Sequence, residues 1–410
     1  MRLAVVSPFV DRRHGTERAL AELLERLAGQ YRCEIHLYAQ RVEDLPIWDP
    51  KSAQTAESGG IFWHKVPCIP GPHVAQFIGW MFMNGFLRRW DTIFGGSSYD
   101  LVLSPGINCL HPDLVIVHAL FRRLKDLSRE ENEGPGTRVG FFRRIHRQVY
   151  YGLLAALERR IYNDRSVVLA AVSKHTAGLL KEYFHREGVC VIPNGVDTAH
   201  FSAAARLARR AEARQRRGYR DQDFVLLLIG NDWRVKGLPT LLKAVAALPD
   251  LPMKLLAVGN DNAESFTAHA VQLGVQERCR WEPSGPEVLD FYAAADVYVS
   301  PSLEDSFALP VAEAMACGLP VVTSIFAGVA DYIHDGVDGF VFREPGDAPK
   351  LARLLQDLYD YPDLRQRIGD GAAKRALGWT WDQNAAALWG LLKDSAARKS
   401  SAATIPDKSQ

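Results

Sequence analysis

The sequence is poor in cysteine, and the cysteines it has form no pattern that does chemistry. Cys33, Cys68, Cys109, Cys190, Cys279 and Cys317 are scattered over 410 residues, with no CxxC pair and no Cys/His cluster. Neither a zinc site nor a disulfide scaffold is expected, and separate core thiols in a reducing compartment are the default. Long apolar runs are also missing. The longest, Val74–Leu87 (VAQFIGWMFMNGFL), falls short of a bilayer span and then meets Arg88-Arg89-Trp90. The opening MRLAVVSP is too short and too soon interrupted for a signal peptide. An excess of one charge is absent too: 49 basic residues face 48 acidic ones. That balance argues against a dedicated nucleic-acid binder. These absences describe a cytoplasmic chain, with any membrane contact peripheral, at the inner membrane face.

What is present is an ordinary globular composition, 47% hydrophobic and 24% charged, in a chain long enough for two or three domains and a large core. Arg2–Phe9 is a short β-branched apolar run that suits a buried parallel strand. Ala19, Leu20, Leu23, Leu24 and Leu27 then line one helical face, and Cys33–Tyr38 reads as the next strand. The β-α-β opening predicts an α/β, doubly wound parallel sheet. Further strands are expected at 101–103, 114–117, 167–172 and 189–192. A fresh α/β unit starts at Phe224–Ile229, with strands at 254–258, 278–281, 297–299 and 320–323 separated by helices. Between the two lies Asp197–Asp223, charged and rich in Arg and Ala. The expected division is 1–195, 196–375, a closing helix at 376–396 and a frayed polar tail at 397–410.

The most informative segment is Ser300–Thr323, SPSLEDSFALPVAEAMACGLPVVT. A strand feeds a loop, the loop feeds a helix opening at Pro310, and Gly318 ends that helix. A helix N-terminus offers free backbone N–H groups and the positive end of a dipole, so the backbone at Ala308 and Leu309 suits a phosphate. Asp305 and Glu313, eight residues apart, could bond sugar hydroxyls beside it. Alternatively, Asp305 merely caps the helix and Glu313 is a solvated helical acid. The string as a whole resembles the nucleotide-diphosphate-sugar signature of family 4 glycosyltransferases of the GT-B fold, E-x7-E followed by AMACGLPVV, and the resemblance extends over residues 1–345. This chain has Asp305 where the family has a first Glu, with Glu304 adjacent as an alternative. Ser306 and Ala308 replace two loop glycines.

A second constellation, Gly230-Asn231-Asp232-Trp233-Arg234-Val235-Lys236-Gly237, joins a strand to a helix. Lys236 and Arg234 could neutralise a diphosphate as charge develops on it. By resemblance this is the diphosphate-binding basic pair, with Asn231 standing where the family has Arg. The first domain contributes Gly15, in the loop Arg12–Arg18, where backbone would approach the donor phosphates. One glycine is not a GxGxxG fingerprint, so a dinucleotide cofactor is disfavoured. His118 follows the strand 114–117, at the end where α/β folds place ligands; His111 is its rival. By resemblance His118 contacts the donor sugar near the reacting carbon. Gly259 ends the strand LLAVGN, where base or ribose would lie, and Glu313 binds ribose hydroxyls. Pro193–Asp197 reads as an interdomain hinge, while Ser173–His175 and Ala327–Val329 are family-like turns.

The resemblance implies two Rossmann-like domains facing across a cleft. It implies a metal-independent, retaining hexosyltransferase with no cofactor beyond the nucleotide-sugar donor as cosubstrate, acting on a hydroxyl of a glycan, a lipid-linked sugar or a small molecule, with polysaccharide biosynthesis as the expected setting. A sugar epimerase or phosphorylase on the same architecture, and a non-catalytic sugar-nucleotide-binding relative, stay open. The net charge hides an asymmetry: residues 1–195 hold 25 basic and 20 acidic residues, and residues 196–410 hold 24 and 28. Arg138–Arg147 interleaves Arg with aromatics. Together with the apolar run 74–87 it makes a peripheral membrane face an expectation, against that of a solvated helix.

Overall fold

The computed structural model describes residues 1–13, 15–48, 59–94, 98–132 and 141–403, with side chains left aside at 128–132, 141–148 and 402–403. The chain divides into two compact units, Met1–Pro193 with Trp381–Gln410, and Asn194–Thr380.

In the first unit β1 (Arg2–Val6), β2 (Phe9–Val10), α1 (Gly15–Gly29), β3 (Glu34–Ala39), β4 (Arg41–Val42) and β5 (Gly60–Lys65) lead to α2 (His73–Phe94). Then follow β6 (Leu101–Pro105), β7 (Leu114–Val117), α3 (Phe121–Asn132), α4 (Phe141–Asn163), β8 (Val168–Ala171), α5 (Lys174–Phe184) and β9 (Cys190–Val191). Seven of the strands form a sheet in the order β5-β3-β1-β6-β7-β8-β9, and β2 pairs with β4 apart from it. All its pairings are parallel. The apolar run of β1 is buried at Leu3, Ala4, Val5 and Val6 because helices cover both faces of such a sheet. The strand expected through Phe9 ends at Val6, and Phe9 starts the separate β2–β4 ribbon.

The second unit runs α6 (Ala203–Arg217), β10 (Phe224–Ile229), α7 (Leu238–Ala246), β11 (Met253–Val258), α8 (Ala263–Gln272), β12 (Cys279–Glu282), α9 (Val288–Ala294), β13 (Val297–Ser300), α10 (Leu309–Ala316), β14 (Val321–Ser324), β15 (Phe340–Phe342), α11 (Ala348–Asp360) and α12 (Pro362–Ala376). Its sheet has the order β12-β11-β10-β13-β14-β15, again parallel. β10 is central, and the order reverses between β10 and β13. Such a switch point opens a crevice at the carboxyl ends of the two strands.

The charged stretch 197–223 contains a helix. α6 packs on α9, and its arginines are structural: Arg214 donates to the carbonyls of Ala294 (3.1 Å) and Asp223 (2.7 Å), and Arg210 to that of Ala295 (2.8 Å). Past α12 the chain returns to the first unit. α13 (Trp381–Ala403) packs on α1, with Arg26 Nε 2.7 Å from Asp382 and Lys399 Nζ 2.8 Å from Asp113. It extends as helix beyond the expected limit of 396, and Lys399 ties its last turns to Asp113. Residues 404–410 of the expected tail lie outside the described residues. The two crossings lie side by side, Val196 N–H donating to the Trp379 carbonyl at 2.8 Å.

Candidate functional site

Two loops meet at the switch point. The first leaves β10 at Gly230 and ends at Gly237. Its conformation is set locally: the Lys236 N–H donates to the Asp232 carbonyl (3.0 Å) and the Gly237 N–H to the Arg234 carbonyl (3.0 Å). The Trp233 N–H reaches Asp261 Oδ2 at 2.7 Å, and its buried ring packs 5.5 Å from Trp281 and 5.6 Å from Phe266. With Trp233 as the anchor, Arg234 is exposed and Lys236 half-buried. Asn231 plays a structural part. Its side-chain oxygen accepts the Asn260 N–H at 2.9 Å, tying this loop to the turn after β11.

The second loop leaves β13 at Pro301 and enters α10 at Leu309. It is stitched to its neighbours through backbone: Asp305 N–H to Phe326 carbonyl (2.9 Å), Gly328 N–H to Asp305 carbonyl (2.8 Å), and Leu303 N–H to Val235 carbonyl (2.7 Å). The last bond joins the two loops. Gly237 makes their approach possible. It has φ 81°, and a Cβ there would lie 2.0 Å from the Pro301 carbonyl oxygen. Gly259 serves the same end at β11, where a Cβ would lie 2.1 Å from the Gly230 oxygen.

Asp305 sits at the junction. Its Oδ1 accepts the Ala308 N–H at 2.9 Å, and its Oδ2 lies 2.5 Å from Lys236 Nζ. Asp305 thus closes the turn before α10 and holds the lysine of the facing loop. Ala308 adopts φ 65° and ψ 61°, a left-handed conformation that costs a residue with a Cβ roughly 1–2 kcal/mol. The turn delivers the first backbone N–H groups of α10 beside the Lys236 ammonium. A cation and a helix N-terminus together make an anion-binding arrangement. Glu304, the alternative acid, is buried.

Glu313, one turn into α10, is buried and accepts the Tyr292 hydroxyl at 2.7 Å. Burial and the neighbouring Glu313 charge push the Tyr292 phenol well above its ordinary range. The expectation of a solvated helical acid at 313 does not hold.

The structure therefore brings together Lys236, Asp305, Ala308 and Leu309, with Gly259 one strand away through its contact with Gly230. Arg234 is on the same loop as Lys236. His118 and Gly15 belong to the first unit. Gly15 is the exposed first residue of α1, after a loop in which Arg12 pairs with Glu22 and Glu25, and His14 lies outside the described residues. His118 follows β7; burial lowers its imidazole to about 4, so it is neutral at pH 7. His111 is exposed. Beyond His118, buried Glu158 of α4 accepts the N–H groups of Phe121 (2.6 Å) and Arg122 (2.9 Å), fixing the start of α3. Burial raises this carboxyl to about 7, against the pull of those two bonds. Glu158, and the structural role of Asn231, are what motif reading misses, since each acts through a contact distant in sequence. Among the described residues, no group of three or more His, Cys, Asp or Glu side chains is placed to hold a metal ion. Likewise none of the described helices is long and apolar enough to cross a membrane.

The chain matches the family "Glycosyltransferase Family 4" over residues 13–200 and the family "Glycosyl transferases group 1" over residues 209–375. It is similar to the D-inositol 3-phosphate glycosyltransferase of Salinispora arenicola, 32% identical over 252 residues that cover 56% of each chain. The corresponding Thermobifida fusca protein is 28% identical over 338 residues, covering 77% of this chain and 74% of the relative. The match thus spans little more than half the length of the first of these relatives. Among solved structures, WaaG, a glycosyltransferase involved in lipopolysaccharide biosynthesis, superposes with a TM-score of 0.76 at 20% identity, covering 95% of this chain and 99% of WaaG. Anabaena HepE in complex with UDP and glucose does so at 0.69 and 16%, covering 96% and 100%. At these identities the likeness speaks to the fold, which is GT-B.

Proposed function

Since the chain belongs to the group 1, family 4 glycosyltransferases, we propose that it transfers a hexosyl group from a nucleotide-diphosphate sugar to a hydroxyl acceptor, with retention of configuration. The observation that carries this reading is the junction of Lys236, Asp305 and the start of α10 at the carboxyl ends of β10 and β13. A UDP-sugar is the favoured donor, in keeping with the UDP and glucose of the HepE complex. The acceptor is a glycan, a lipid-linked sugar or a small polyol such as the inositol phosphate of the relatives' name. Polysaccharide biosynthesis in the cytoplasm is the setting that suits this reaction.

In the proposed reaction the donor diphosphate lies against the first turn of α10 and takes Lys236 from Asp305. The freed carboxylate oxygen of Asp305 then accepts a hydroxyl of the transferred sugar. The bond from the anomeric carbon to the diphosphate oxygen breaks, and the acceptor oxygen bonds that carbon on the same face. The acceptor proton passes to the departing diphosphate. Lys236, joined by Arg234, stabilises the charge that develops there, where a preorganised cation is worth most. Glu313 anchors the ribose, and the backbone at Gly259 and Gly15 gives the nucleotide and phosphates close approach. The role proposed for neutral His118 is a hydrogen bond to the sugar.

Lys236→Ala is expected to lower kcat by about 10²–10³-fold, the loss seen when one such charge-stabilising group is removed. Its circular dichroism should stay that of the wild type. Transfer at the wild-type rate in this variant overturns the assignment.

A further inference from the structure

α2 has two unlike faces. One is fixed to the first sheet: Trp80 Nε1 donates to the Asn108 carbonyl at 2.9 Å, and Trp80, Met81 and Asn84 are buried. Near its end Asp91 accepts the Tyr38 hydroxyl at 2.6 Å and lies 3.0 Å from His64 Nδ1. The other face carries Ile78, Phe82, Phe86, Trp90, Ile93 and Phe94, all exposed, Phe82 and Phe94 by 69% and 68%. The four aromatics follow at intervals of four, and successive ring centroids are 6.5, 5.9 and 4.3 Å apart. Single exposed apolar residues need no explanation, whereas a contiguous stripe of this size marks an interaction surface.

The charges on the helix indicate the occupant. Arg89 is exposed within the stripe, three residues after Phe86 and four before Ile93. Asp91 is the only acid in α2, and it is turned inward. A second copy seated through a two-fold axis would set Arg89 against its own counterpart's surface with no carboxylate on the face to pair it. An anionic lipid surface answers both features. The aromatic rings enter the boundary between headgroups and acyl chains, while the arginine stem lies along the stripe and its head meets lipid phosphates. The excess of 25 basic over 20 acidic residues in 1–195 works in the same direction. The other stretch expected to face a membrane, Arg138–Arg147, lies outside the residues whose side chains are described.

We propose that the exposed face of α2 docks this protein on an anionic lipid surface, with the helix axis in the membrane plane and Arg89 at the headgroup phosphates. This docking is independent of the donor chemistry, so either reading can fail without the other.

The test is co-sedimentation of the full chain with vesicles of phosphatidylcholine alone and with phosphatidylglycerol added. The wild type is expected to bind the anionic vesicles and to be released by salt. Phe82→Ser with Trp90→Ser should weaken binding at least ~10-fold, since affinity follows buried apolar area. Both side chains are exposed, so circular dichroism and the nucleotide-induced thermal shift should be unchanged. Arg89→Glu should reduce binding to the anionic vesicles only. No binding by the wild type overturns the proposal. So does equal binding to both vesicle types with Arg89→Glu silent, or a solution dimer that Phe82→Ser converts to monomer.

Discussion

At Asp305 the length of one side chain decides which groups a carboxylate can hold at once. From the loop before α10 it reaches the Ala308 N–H with one oxygen and Lys236 with the other. Both oxygens of this aspartate, which stands where the resemblance expects glutamate, are thus engaged within the protein. Ala308 holds a left-handed conformation of the kind that glycine adopts most readily. Glu158 makes a different point, that burial can outweigh hydrogen bonds. The unfolded chain releases its proton near pH 4.5, the folded chain only near about 7. Between those values folding takes up a proton, so this group's contribution to stability falls as pH rises. Glu158→Gln removes that dependence. Thermal melts at pH 5 and pH 8 should show the variant gaining on the wild type as pH rises. A variant that loses ground instead would mean that the bonds to Phe121 and Arg122 outweigh the cost of burial.

At the level of elements, helices are legible where one face is apolar and obscure where charge does the packing. The periodicity of α1 and α7 announces them. α6 reads as a linker because its arginines look solvated in sequence, and only the carbonyls of Asp223, Ala294 and Ala295 reveal their use. β5 and β15 escape a reading of the sequence: FVF is only three residues long, and the place of both strands at a sheet edge comes from pairing with β3 and β14. α13 is recognisable as a helix, but its assignment to the first unit is not. Its side chains Leu388 and Leu392 are buried, and Tyr31 packs 5.3 Å from Trp389. Leu388→Ala is expected to destabilise the first unit by about 2–4 kcal/mol, the usual cost of a buried Leu truncation. Chemical denaturation followed by circular dichroism would show it, and a loss below ~1 kcal/mol would mean that α13 is only loosely docked.

For the whole molecule, the parallel sheet of the second unit places the loops after β10 and β13 together at its carboxyl edge. β10 and β13 are adjacent although β11 and β12 separate them in sequence, and this adjacency joins Lys236 to Asp305. If that edge binds the donor, nucleotide-sugars should stabilise the protein. At a hundred times Kd the gain is about 2.7 kcal/mol. A thermal-shift panel of UDP-, GDP- and ADP-sugars should show a rise with one nucleotide class and none with Lys236→Ala. A flat panel for the wild type would count against donor binding at this edge.

The sequence by itself determined the α/β class, the two alternating β/α series and the motif residues of the second unit. Those properties reside in apolar periodicity and in short strings, which are local. It also placed His118 and Gly15 after their strands, for the same reason. Tertiary structure decided what those residues are bonded to. The pairing of Asp305 with Lys236, the clamp of Glu158 on α3, the Asn231–Asn260 link and the outward turn of the α2 aromatics all depend on partners distant in the chain. A sequence specifies such partners only through the packed whole, because burial and hydrogen-bond satisfaction are settled when the elements meet.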